Sequence, residues 1–76
     1  MPAQELIEQG ERRRVAMLEF IAEFWEENGY SPSIAEVGAA VGIVSPNAVR
    51  SHLQKLVDEG HLKMDAGVAR SIRMTK

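Results

Sequence analysis

Hydrophobic residues recur with helical spacing from Glu11 to Asn28. At about 100° per residue, Met17, Leu18, Phe20, Ile21, Phe24 and Trp25 share one broad face, while Glu19, Glu23, Glu26 and Glu27 share the other. The pattern predicts a long amphipathic first helix. Gly29 is placed to close it as a left-handed cap, and Tyr30-Ser31-Pro32 is expected to be extended, because the residue before a proline avoids helical dihedrals. Two starts are open. Arg12, Arg13 and Arg14 in a first turn would oppose the helix dipole, and the alternative is a helix that begins near Pro2 and passes through Gly10, with Glu8 supporting Arg12 one turn later.

A second, short helix is announced by Ser33 and Glu36, the spacing of a capping box, with Ile34, Val37 and Val41 on one face and Gly42 at its end. Ile43 and Val44 form a tight turn. Ser45 is then an N-cap and Pro46 a first helical residue, where its missing N–H costs nothing. A third helix is predicted from Pro46 to Glu59, with Val49, Leu53, Leu56 and Val57 as its apolar stripe and Gly60 as its stop. Two helices joined by a tight glycine turn make a helix-turn-helix.

Beyond Gly60 the period changes to two. Leu62 and Met64 alternate with Lys63 and Asp65, then Ile72 and Met74 alternate with Ser71, Arg73 and Thr75, around a loop from Asp65 to Ala69 that contains Gly67. This is a hairpin wing, whose Leu62, Met64, Ile72 and Met74 can cover the first and third helices with Lys63, Arg70 and Arg73 outward. The fold class is therefore mainly α with a small β-hairpin: a three-helix winged helix-turn-helix over residues 11–76, preceded by an N-terminal extension, residues 1–10.

Candidate chemistry lies on the polar side of the third helix. Asn47, Arg50, Ser51 and Gln54 fall within about a quarter of its circumference. Asn and Gln pair bidentately with adenine, Arg with guanine and Ser with either, and the major groove admits a helix that presents them. A plain solvated face is the competing reading, although such a face more often carries Glu and Lys.

Charge sharpens this picture. The 76-residue chain has a net charge of −2, against the strongly basic balance usual for a polyanion binder. However, residues 1–44 hold three basic and eight acidic side chains, a balance of −5, whereas residues 45–76 hold six basic and three acidic, a balance of +3. The basic half supplies the candidates for phosphate contact: Lys55, Lys63, Arg70 and Arg73. Length allows one small domain and excludes a two-domain enzyme. With no cysteine there is neither a disulfide framework nor a thiolate metal site, and no nucleophile–base constellation supports catalysis. No apolar run approaches the roughly 20 residues of a membrane span, and the acidic first ten residues do not resemble a secretory signal, so a cytoplasmic, membrane-free protein without metal or cofactor is expected.

The run Gly29-Tyr30-Ser31-Pro32-Ser33-Ile34-Ala35-Glu36-Val37, then Val41-Gly42, Ser45-Pro46-Asn47-Ala48, His52-Leu53, Leu56, Gly60 and Arg70-Ser71-Ile72-Arg73, resembles the N-terminal domain of LexA repressors over residues 11–75. The resemblance implies a domain that binds double-stranded operator DNA and represses transcription, in that family the genes of the SOS response. It places Ser45, Asn47, Ala48, Arg50 and Ser51 where the family reads bases and Arg70 and Arg73 in its wing. In the enterobacterial form two acidic residues occupy the sites of Arg50 and Ser51, and Ala35 stands where a basic residue is common, so the operator sequence does not carry over. The family's self-cleaving domain, with its serine-lysine pair, would follow Lys76, and damage-triggered cleavage is not expected of this sequence.

A different class of function competes: a winged helix recruited to bind protein, with its acidic first helix facing a basic partner. Steep salt dependence separates DNA binding from that alternative. A small single domain touches one half-site, so a monomer in free solution that pairs as a homodimer on DNA is expected. Leu6 and Ile7 of the extension are the candidates for any two-fold contact. His52 reads as a half-buried packing residue rather than a metal ligand with His61, Trp25 as core, Tyr30 as a cover for the turn, Met64 and Met74 as core filler, and Arg12 to Arg14 as a solvated face offset by Glu5, Glu8 and Glu11 rather than a phosphate clamp.

Overall fold

The computed structural model describes residues 3–75, with side chains from residue 10 onward. Three helices precede an antiparallel hairpin in the order α1 (Ala3–Asn28), α2 (Ile34–Val41), α3 (Pro46–Asp58), β1 (Leu62–Lys63) and β2 (Arg73–Met74). This is the mainly helical winged helix-turn-helix that the hydrophobic pattern predicts. Of the two starts open to the first helix, the earlier one holds. α1 runs unbroken through Gly10, and its 26 residues, about 39 Å at 1.5 Å each, account for the 40 Å long axis of the molecule. Arg12 to Arg14 thereby leave the first turn and its unfavourable dipole. Leu6 and Ile7 lie outside the described side chains.

Caps fix the helix boundaries. Ser33 accepts from the Glu36 amide at 3.1 Å while the Glu36 carboxylate accepts from the Ser33 amide at 2.8 Å, so both halves of the capping box are made. Gly42 ends α2 at φ 74°, and Ser45 caps α3, its Oγ 3.4 Å from the Ala48 amide. α3 stops at Asp58, with Glu59 as its C-cap, one residue short of the expected end.

Among the described residues, eight side chains form the buried core: Met17 and Ile21 of α1, Val37 of α2, Val49, Leu53 and Leu56 of α3, Leu62 of β1, and Ile72 just before β2. Leu18, Phe20, Trp25, Ile34, Val41, Ile43, Val57, Met64 and Met74 pack partly buried against it. Gly38, in mid-α2, has a steric role that periodicity does not reveal. A Cβ there would lie 2.8 Å from the Ile43 carbonyl oxygen and 2.9 Å from Val49 Cγ2, and the glycine lets the turn and α3 close onto α2.

The hairpin is smaller than the alternation predicts. Only Leu62 pairs with Met74 and Lys63 with Arg73. Beyond them the loop folds on itself: Asp65 N–H donates to Ser71 Oγ at 3.0 Å, and the Ser71 hydroxyl faces the Val68 carbonyl at 3.0 Å and the Asp65 carbonyl at 3.2 Å. The shortened strands are docked by side chains from far along the chain. Trp25 Nε1–H donates to the Ile72 carbonyl at 2.8 Å, and Ile72 N–H donates to the hydroxyl of buried Ser31 at 2.9 Å. Both backbone groups of a core residue are thus satisfied without a ladder partner.

Candidate nucleic-acid interface

The packing of α3 decides which of its side chains meet solvent. Val49, Leu53 and Leu56 anchor one side in the core, and Asn47, Arg50, Ser51, Gln54 and Lys55 are all exposed on the other. Arg50 Nη1 donates to Asn47 Oδ1 at 3.3 Å, and Gln54 Nε2 donates to Asp58 Oδ1 at 3.0 Å, so three of the four predicted readers are already held in geometry by one-turn contacts. Ala48 is half-buried, and the exposed Ser45 spends its acceptor on the cap. Val44, in the turn just before that cap, is 98% exposed, so the entrance to α3 carries an apolar side chain with no internal contact to satisfy.

The wing lies along the Arg50 side of α3. A groove of about 620 Å³ separates them, lined by Ser33, Ile34 and Ala35 of the α2 end, Arg50 and Gln54 of α3, and the loop from Met64 to Ile72. Lys63 and Arg73 point outward from the hairpin, Arg73 Nη2 standing 3.6 Å from Asp65 Oδ1, both side chains more than half exposed. At that distance and exposure the pair is weak and available for exchange with a phosphate.

Arg70 is placed differently. Its Nη1 donates to Glu36 Oε1 at 2.7 Å and to the Ser31 carbonyl at 3.1 Å, and its guanidinium sits 5.4 Å from the centroid of the Tyr30 ring. It is the only non-glycine residue among those described with a positive φ, 52°, a conformation that costs energy and persists where surrounding contacts hold it. These contacts latch the wing loop to the N-terminus of α2. Tyr30, itself half exposed, meets Phe24 edge-on at 5.5 Å and covers the same corner. Glu36 is held below its ordinary carboxylate value, first by the Ser33 amide and then by Arg70. The latch was not visible in the sequence, where Glu36 carries a capping signal and nothing more.

The opposite side of α3 faces α1. Arg14, half-buried, places Nη1 3.5 Å from His52 Nδ1. Burial and the nearby guanidiniums of Arg14 and Arg13 push the His52 imidazole below its ordinary value, so the ring is neutral near pH 7 and Nδ1 can accept. Arg12 and Arg13 are exposed, as expected of a solvated face, but Arg14 is not.

Comparison with known proteins gives the family. The model of the LexA DNA binding domain matches residues 9–71. The LexA repressor of Leuconostoc mesenteroides is 40% identical over 67 residues, covering 86% of this chain and 32% of that protein. The LexA repressor of Ruminiclostridium cellulolyticum is 43% identical over 58 residues, covering 76% and 27%, and that of Pseudomonas chlororaphis 40% identical over 62 residues, covering 82% and 31%. The chain spans about a third of the length of the curated relatives it matches. No helix among the described residues is long and apolar enough to cross a membrane. With the caps, the turn, α3, β1 and the wing loop as far as Ser71 inside the matched residues, the chain belongs to the LexA DNA-binding domain family.

Proposed function

We propose that the chain is a sequence-specific duplex-DNA-binding repressor domain that lays α3 in the major groove of an operator, in the cytoplasm. The observation that carries this reading is the exposed face of Asn47, Arg50, Ser51 and Gln54 on a helix fixed by core packing and a Ser45 cap. Side chains with bidentate hydrogen-bonding capacity are presented on a rigid rod, which is what base-edge readout requires. Lys55, Lys63 and Arg73 contact backbone phosphates. Arg70, already engaged by Glu36 and Ser31, positions the wing rather than meeting a phosphate.

The repressor role, and the link to DNA-damage genes, rest on the relatives, whose names are LexA repressor. A domain this small covers one half-site, and in this reading two copies occupy half-sites about one helical turn apart on one face of the duplex while the free protein is monomeric. Selection of bound duplexes from a random pool, followed by a salt titration on the winner and on a scrambled duplex, tests the proposal. A recurrent sequence should emerge, bound more tightly than the scrambled duplex and with affinity falling steeply as salt rises. Binding to no duplex would overturn the proposal and favour a protein partner.

A further inference from the structure

The arginines of α1 take no part in the interface described so far, and their place beside α3 gives them one. With Asn47 as origin and about 100° per residue, Gln54, Ser51 and Arg50 lie within about 60° of it, and Arg50 is on the side of the wing groove; Lys55 at about 80° and His52 at about 140° lie on the other side. That side is where α1 approaches. Arg14 Nη1 lies 3.5 Å from His52 Nδ1, and its neighbour Arg13 is exposed.

A helix seated in the major groove lies between two phosphate backbones, across a groove about 12 Å wide. The wing serves one of these edges. We propose that Arg13 and Arg14 of α1, with Arg14 steered by His52 and continued by Lys55, form a second phosphate clamp on the opposite edge. The inference rests on the DNA-binding reading and adds to it a contact surface on an element whose overall charge is acidic.

Three observations converge on it. Arg14 is half-buried with Nη1 3.5 Å from His52 Nδ1, so its side chain is already packed against α3, and a packed side chain loses less freedom on binding than an extended one. Among the described residues no carboxylate pairs with Arg13 or Arg14, in contrast to Arg70 and Arg73, which both have acidic partners. Finally, Glu19, Glu23, Glu26 and Glu27 lie more than a turn past Arg14, and the exposed Glu11, one turn before it, makes no ion pair with Arg13 or Arg14 among the described residues.

The test is the salt dependence of binding by the whole chain to its selected duplex and to a scrambled one, for wild type, Arg13→Gln, Arg14→Gln, Arg14→Lys, His52→Leu and His52→Gln. Each Arg→Gln change should lower the log-log salt slope by about 0.9, so that going from about 50 to about 200 mM salt costs the variant about 3.5-fold less affinity than wild type. The loss of affinity should be similar on both duplexes. Arg14→Lys should keep the slope. His52→Leu should match Arg14→Gln, and combining the two should add nothing, while His52→Gln, which retains an acceptor, should bind like wild type. Wild-type slopes for both Arg13→Gln and Arg14→Gln, with wild-type melting, would overturn the clamp and leave the DNA-binding reading intact. Failure of the wild-type chain to bind any duplex would overturn both.

Discussion

On the wing side of α3 the arginines come with acids attached: Arg70 lies on Glu36 at 2.7 Å and Arg73 near Asp65 at 3.6 Å. On the α1 side, Arg14 rests on a neutral imidazole at 3.5 Å. The two flanks spend positive charge differently. A short, multiply made contact such as that of Arg70 fixes a loop whose strands are only two residues long, and its charge is consumed in doing so. A neutral partner orders the side chain and leaves the charge available. A basic residue's place near an interface therefore does not give its role; its partner in the free protein does.

A change that strikes both flanks at once should have the largest effect. Gly38→Ala drives a Cβ to 2.8 Å from a backbone carbonyl that cannot step aside, and overpacking of this kind costs about 1 to 3 kcal/mol, readable as a lowered melting temperature. Because α2, the turn and α3 move together, binding should fall as well. Removing one cap is milder: Ser45→Ala and Ser33→Ala should each cost about 1 kcal/mol of stability. They part on function. Ser45→Ala frays the turn that carries Asn47 and should weaken the selected duplex, whereas Ser33→Ala loosens Glu36 and should act through the wing.

The wing arginines should then separate from one another. Arg73→Ala should lower the salt slope by about one unit on every duplex. Arg70→Ala should weaken binding at unchanged slope, and Glu36→Gln should reproduce it, since both release the same latch. A lowered slope for Arg70→Ala together with wild-type binding by Glu36→Gln would make Arg70 a phosphate contact instead.

The smallest expected effect is that of pH. Glu36 has its folded value depressed below 4.5, so the stability it contributes is present above that value and is lost as pH falls through the folded one; His52, depressed below 6.5, likewise contributes above 6.5 and loses the contribution as pH falls. Stability should therefore decline in two steps on acidification. The upper step should be absent in His52→Gln and the lower one reduced in Glu36→Gln, as measured by thermal melts across pH.

The same contrast between local and distant partners explains what the sequence could disclose. Capping box, left-handed glycines and Pro46 act within one helical turn, so the ends of α2 and α3 were legible to within a residue, as was the exposed face of α3. The wing was legible as a hairpin but not in its extent, because what holds it comes from Trp25, Ser31 and Glu36, more than thirty residues away. Gly38 looked like an ordinary small residue in a helix, although its lack of a Cβ sets the closure of α2 on α3. Arg14 looked like a solvated charge because its partner, His52, lies 38 positions on. Trp25 offered the clearest missed cue, since a packed indole N–H needs an acceptor and none is local.

That α3 reads bases is tested most directly by Asn47→Ala, with affinity measured at one salt concentration on the selected duplex and on a scrambled duplex of equal length. Asn47 is exposed, so its removal leaves the core untouched. The expected result is a loss of about 1 to 3 kcal/mol, roughly 5- to 150-fold, on the selected duplex and little change on the scrambled one. Equal losses on the two, or none on either, would contradict base reading by this helix.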